Sequence, residues 1–166
     1  MAIAPYTFEP VAEDHLPLLG RWLAEPHIRT WWGDPEQALT TIADHMADET
    51  VQLFIVSHHG APLGFIQSWS PHAEENHPCR DQPEGTLGID QFIGEPSLVN
   101  CGHGSAFVGT FVAELFEAGA PRVITDPNPR NARAIRAYEK AGFRALDYRR
   151  TISRDALLMS NDAGKL

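Results

Sequence analysis

The chain has 166 residues, 43% of them apolar and 21% charged, a size and balance that suit one domain spanning residues 1–166, with a core that needs no disulfide or metal. Its net charge of −9 repels phosphate backbones and argues against nucleic acid as a partner. No apolar run approaches the ~20 residues of a membrane span, the start lacks a secretion signal, and Cys79 and Cys101 are expected as free thiols in a reducing cytoplasm.

The first strand is expected over Tyr6 to Val11. Glu13-Asp14-His15 leads into a helix with Leu16, Leu19, Trp22 and Leu23 on one apolar face, and Pro26 ends it. A second helix starts at Asp34-Pro35-Glu36-Gln37, with Asp34 as N-cap, and runs to about Ala47. Val51–Ser57 and Pro62–Trp69 read as strands around a hairpin turn at His58-His59-Gly60-Ala61. Ser70 to Gly85 is a polar loop of unusual length. Strand character returns over Thr86–Ile93, and a loop to Gly102 leads into a helix over His103–Ala118. Arg122–Asp126 is a short strand. Asn128-Pro129 is read as the cap of a helix that ends at Gly142, and Phe143–Arg150 and Asp155–Met159 close the chain as strands. The order gives one α/β domain around a mixed sheet.

The segment from Asn128 to Phe143 carries the most specific pattern, with Asn131, Ala134, Tyr138, Glu139, Gly142 and Phe143 at fixed spacing. It resembles the C-terminal signature of the GNAT acetyltransferases. The glycine-rich stretch Asn100-Cys101-Gly102-His103-Gly104-Ser105 stands before a strong helix, as in that family. Backbone N–H groups and a helix N-terminus there suit a pyrophosphate. Val99 stands where the family usually has a basic residue or glutamine. The resemblance implies an α/β (α+β) GNAT fold: a mixed central sheet of about six to seven strands flanked by about four helices and splayed at the CoA site. It also implies acetyl-CoA as co-substrate, with the pantetheine on Phe92 and Ile93, Asn100–Ser105 at the pyrophosphate, and Asn131 and Ala134 as further contacts.

Three further segments, Pro26–Gly33, Gly88-Ile89-Asp90-Gln91 and Thr125–Pro129, resemble aminoglycoside 6′-N-acetyltransferases and, less closely, acyltransferases of siderophore biosynthesis that act on a lysine-type amine. The first resemblance implies a polycationic amine substrate, a cytoplasmic enzyme and a monomer or homodimer. It assigns Asp90 and Asp126 to the aminoglycoside. Asp90 is expected to hold the reacting amine and accept its proton, directly or through water, and Asp126 to pair with another ammonium. Tyr138 resembles the general acid for the departing thiolate. A backbone N–H near Phe92 would stabilise the oxyanion. Trp31 and Trp32 would wall the sugar site, with one of them in the core. Glu84 belongs to an acidic loop that is either a lid over a cationic ligand or a solvated segment. His72, His77 and Cys79 fit no standard zinc spacing, so no metal is expected.

Overall fold

The computed structural model describes residues 5–150 and 154–164. They pack as two units. The first holds the described residues up to Gln67 and Gln91–Gly104; the second holds Ser68–Asp90 and the described residues from Ser105 onward. The divisions fall inside two strands and one helix rather than at a linker.

In the first unit, β1 (Tyr6–Pro10) pairs antiparallel with β2 (Val51–His58), Tyr6 opposite His58 and Pro10 opposite Phe54. β3 (Ala61–Trp69) and β4 (Leu87–Ile93) continue the order β1-β2-β3-β4. Helices α1 (Leu16–Leu23), α2 (Pro26–Trp32) and α3 (Pro35–His45) supply Leu19, Trp22, Leu23, Ile28 and Ile42 to one core with Leu53, Ile55, Phe65 and Phe92. Each such large side chain, fully buried, contributes about 1.5–3 kcal/mol. Asp34 caps α3 as expected, its Oδ2 accepting from Gln37 N at 3.0 Å.

One helix was not foreseen. Pro26 does close α1, but it also opens α2 at the first helical position, where its missing N–H costs nothing. Seven residues make only two turns, too few for an apolar period to show. The described residues therefore carry five α-helices and seven strands.

In the second unit, β4 pairs in parallel with β5 (Arg122–Thr125), Leu87 opposite Val123 and Gly88 opposite Ile124. β5 pairs antiparallel with β7 (Asp155–Asp162), and β7 with β6 (Arg144–Arg150), giving the order β4-β5-β7-β6. Helix α4 (His103–Glu117) buries Phe107, Val108, Phe111 and Val112. Arg122 ties the start of β5 to the end of β7, donating from Nε and Nη2 to both oxygens of Asp162 at 2.6 and 3.2 Å.

Helix α5 (Ala132–Lys140) starts later than Asn128-Pro129 suggests. Asn128 Oδ1 accepts from Arg130 N, and Asn128 O from Asn131 N, so that residue is spent on a turn. Asn131 is the cap, its Oδ1 accepting from Ala134 N at 3.2 Å. At the other end, Phe143 N donates to Tyr138 O and Gly142 N to Glu139 O, while the Tyr138 and Phe143 rings meet edge-on at 5.5 Å. These are the two bonds and the apolar contact of a Schellman stop. The signature is thus a mechanical unit: Asn131 and Ala134 begin the helix, and Tyr138, Gly142 and Phe143 end it.

Candidate active site

Asp90 is the fourth residue of β4, beyond the ladder to β5. The ladder ends as Thr125 Oγ1 donates to Ile89 O at 3.1 Å. Asp90 is held by a residue the sequence did not mark: Trp69 Nε1 donates to Asp90 Oδ2 at 2.9 Å. Gly88 makes room for that indole. A Cβ on Gly88 would meet Trp69 ring carbons at 2.2 Å, so any larger residue would push the ring away. The Gly-Ile-Asp motif therefore reads as a flat seat, a core residue and a carboxylate fixed by the ring on the seat.

The 70–85 loop frames this pair. It has no helix or strand, yet it is pinned. Arg80 Nη1 donates to His72 O and Glu74 O at 3.0 and 2.8 Å. Arg149 of β6 donates to Pro78 O at 2.7 Å and to both Asp81 oxygens at 2.7 and 2.8 Å, and also bonds Asp147. Cys79 is buried beside Ile124 and Leu158, and burial pushes its thiol up to about 11, so it is a packing residue rather than a nucleophile. His77 lies against Trp69, ring centres 4.9 Å apart. Its Nδ1 accepts from Cys79 N at 3.0 Å, which fixes the neutral tautomer. Burial holds that imidazole below its usual range, with Glu74 and Asp90 opposing.

Asp126 follows the last residue of β5. Burial first, then the neighbouring Asp90 charge, raises its carboxyl to about 6, with Arg154 pulling the other way. Arg154 is a second residue the sequence did not mark. Its Nη2 donates to Asp126 Oδ2 at 2.7 Å and its Nη1 to Asp126 O at 2.8 Å. A cavity of about 190 Å³ opens here, lined by His77, Pro78, Cys79, Asp126, Arg149, Arg154, Ala156 and Leu158. The structure thus brings Asp90 and Asp126 into electrostatic contact.

Glu84 does not join them. It is exposed at the entry to β4, next to Gly85, whose Cβ position faces Pro121 at the entry to β5. Leu87 to Asp90 alone spans roughly 10 Å of extended chain. Tyr138 is buried, 4% exposed, on the third residue from the end of α5.

In the first unit, the Pro26–Gly33 segment shows its physical content. His27 Nε2 donates to Ile93 O at 2.7 Å, fastening α2 to the end of β4. Trp32 packs edge-on against Phe65 and Phe92, ring centres at 6.0 and 5.2 Å. Trp31 is 41% exposed. Trp32 is therefore the core member of the pair. Phe92 gives its side chain to the same core and its main chain to β4.

The glycine-rich loop makes a sharp backbone turn before α4. Asn100 and Gly102 adopt left-handed conformations, φ +63° and +85°, and a Cβ at Gly102 would meet nothing within 4 Å. The glycine serves the backbone turn, over open space, directly before His103 begins α4. The Cys101 thiol points back at Ser97 O and Val99 O, at 3.8 and 3.6 Å. His103 Nδ1 and the Tyr6 hydroxyl are hydrogen bonded at 2.7 Å, so its ring is committed to β1. Asn131 and Ala134 bond each other in the α5 cap. Among the described residues, no three His, Cys, Asp or Glu side chains gather as metal ligands, and no helix is long and apolar enough to cross a membrane.

This fold, with a short parallel ladder between β4 and β5 and a glycine loop opening α4, defines an acetyltransferase class. The family model for the acetyltransferase (GNAT) domain matches residues 11–150, and the chain belongs to that family. It is 35% identical over 147 residues to the aminoglycoside N(6′)-acetyltransferase type 1 of Klebsiella pneumoniae, a match covering 82% of this chain and 73% of that protein. The crystal structure of the aminoglycoside acetyltransferase AAC(6′)-Ib with coenzyme A and kanamycin superposes with a TM-score of 0.85 at 30% identity, covering 95% of this chain and 94% of that one. The lysine N-acyltransferase MbtK of Mycolicibacterium paratuberculosis is more distant, 28% identical over 152 residues, 88% of this chain and 68% of that protein.

Proposed function

We propose that this chain is an aminoglycoside 6′-N-acetyltransferase that moves an acetyl group from acetyl-CoA to a primary amine of a polycationic sugar. The observation that carries the reading is the pair of neighbouring carboxylates, Asp90 just past the ladder that joins β4 to β5 and Asp126 at the end of β5. Open α/β sheets take their ligands at such strand ends. A polyammonium substrate needs two carboxylates, one for the reacting amine and one for another charge. The similarity to the Klebsiella enzyme supports the same assignment.

In this reading the neutral amine attacks the thioester carbonyl, its C–N bond forms and the C–S bond breaks. Asp90, oriented by Trp69, takes the amine proton directly or through water. Tyr138 gives its phenolic proton to the departing thiolate. The main-chain N–H near Phe92 faces the developing oxyanion. Phe92 and Ile93 line the pantetheine, the Asn100–Ser105 backbone takes the pyrophosphate, and Asn131 and Ala134 flank it. Trp31, rather than Trp32, offers a face to a sugar. The family match runs across both units, which supports residues 1–166 working as one catalytic domain. Acetyl-CoA as donor supports a cytoplasmic enzyme.

A free-thiol assay of CoA release, with kanamycin, tobramycin, gentamicin and lysine as acceptors, tests this. Turnover with the aminoglycosides and none with lysine is expected. Turnover with lysine alone would transfer the reading to an N-acyltransferase of the MbtK kind, the alternative that the more distant similarity supports.

A further inference from the structure

The second carboxylate of the site is already answered by a cation of the chain. Arg154 directs Nη2 to Asp126 Oδ2 and Nη1 to Asp126 O, so one guanidinium edge grips the side chain and main chain of one residue. The Asp126 side chain is 18% exposed and that of Arg154 is 45% exposed, so the cation covers the carboxylate from the solvent side. The other guanidinium of the cavity, Arg149, is spent on Asp81, Asp147 and Pro78 O. Asp126 and Arg154 are therefore matched as a pair within a cavity whose remaining charges are matched elsewhere.

Resting on the reading above, in which Asp126 holds a substrate ammonium, we infer that Arg154 is a built-in counter-ion that a polyammonium substrate must displace from Asp126, which makes it a specificity-determining residue. The geometry sets the competition: an ammonium bound to Asp126 Oδ2 needs the position Nη2 holds. The contest is winnable, because an incoming ammonium replaces the guanidinium charge for charge and the half-exposed Arg154 can return to water. It also discriminates. A substrate with one amine engages Asp90 and leaves the Asp126–Arg154 pair closed, whereas a second ammonium has to open it. Without a substrate, Arg154 offsets the repulsion between the two carboxylates, which burial and Asp90 otherwise make costly at Asp126.

The test is calorimetric titration of kanamycin, without acetyl-CoA, into the wild type, Arg154→Gln, Asp126→Asn and the double variant. Arg154→Gln should tighten binding about five- to tenfold. In the Asp126→Asn background the same change should gain no more than about twofold, the residue of long-range charge removal. Arg154→Lys, which keeps the charge, should stay closer to wild type than Arg154→Gln. Unchanged or weaker binding by Arg154→Gln, or an equal gain in both backgrounds, would overturn the inference. Should wild type bind no kanamycin, binding gained by Arg154→Gln would support it and silence in both would end it. Turnover is scored separately, so a wild type that binds kanamycin without acetylating it would remove the enzymatic reading and leave the displacement standing.

Discussion

Asp90 and Asp126 are the same residue type, each just past the ladder that joins neighbouring parallel strands, yet their surroundings differ in kind. Asp90 is oriented by a neutral donor, the Trp69 indole, which fixes its direction. Asp126 is gripped by the Arg154 guanidinium, which cancels its charge, while burial and Asp90 raise its carboxyl to about 6. A neutral partner suits a group that has to gain a proton during the reaction. A cationic partner suits a group whose task is to exchange one cation for another. The difference teaches that strand position supplies two carboxylates, and the residue that faces each one decides what it is for.

The sharpest way to break the comparison is to neutralise the first carboxylate. Asp90→Asn should lower kcat/KM for kanamycin by about 10²–10³-fold, the range of a lost positioned base. Full retention in steady-state assays would move the proton to another group. Next comes the donor. Trp69→Phe keeps the ring over Gly88 but removes the N–H, so kcat should fall about tenfold with KM little changed. A change in KM alone would make Trp69 a packing residue only.

The second carboxylate should report through pH. Its folded-state pKa lies above the unfolded value, so its ionisation destabilises the fold as pH rises from about 4 through 6. Asp126→Asn should therefore raise Tm at pH 8, with the gain shrinking to nothing near pH 4. A variant less stable than wild type at pH 8 would mean that the Arg154 pair outweighs burial. The smallest effect expected is on the frame. Arg149→Ala removes the tie between β6 and the 70–85 loop, at a cost of about 1–3 kcal/mol in urea denaturation. A loss confined to surface-pair size, under about 1 kcal/mol, would mean that the loop holds itself through Arg80.

Much of this was legible before any coordinates. Strands and long helices carried clear periods, and the spacing from Asn131 to Phe143 turned out to be a cap and a stop joined by two turns of helix. Asp90 and Asp126 were marked by their motifs. What escaped was short or tertiary. Helix α2 is too brief for a period. Asn128 imitates a cap because a turn and a helix start use the same Asx chemistry. Glu84 carried the right charge at the wrong end of β4, and only the parallel ladder with β5 shows which end is which. Trp69 and Arg154 lie 21 and 28 residues from the carboxylates they serve, and nothing local ties them together. For Trp69 a signal did exist: Gly88, beside a carboxylate in a buried strand, asks what large ring lies over it.

The most direct measurement is the product itself. Kanamycin incubated with enzyme and acetyl-CoA should yield one acetyl adduct by mass, and NMR should place it on the 6′ nitrogen. A wild-type enzyme that leaves kanamycin unmodified, or acetylates a different amine, would contradict the assignment of this carboxylate pair to an aminoglycoside 6′ amine.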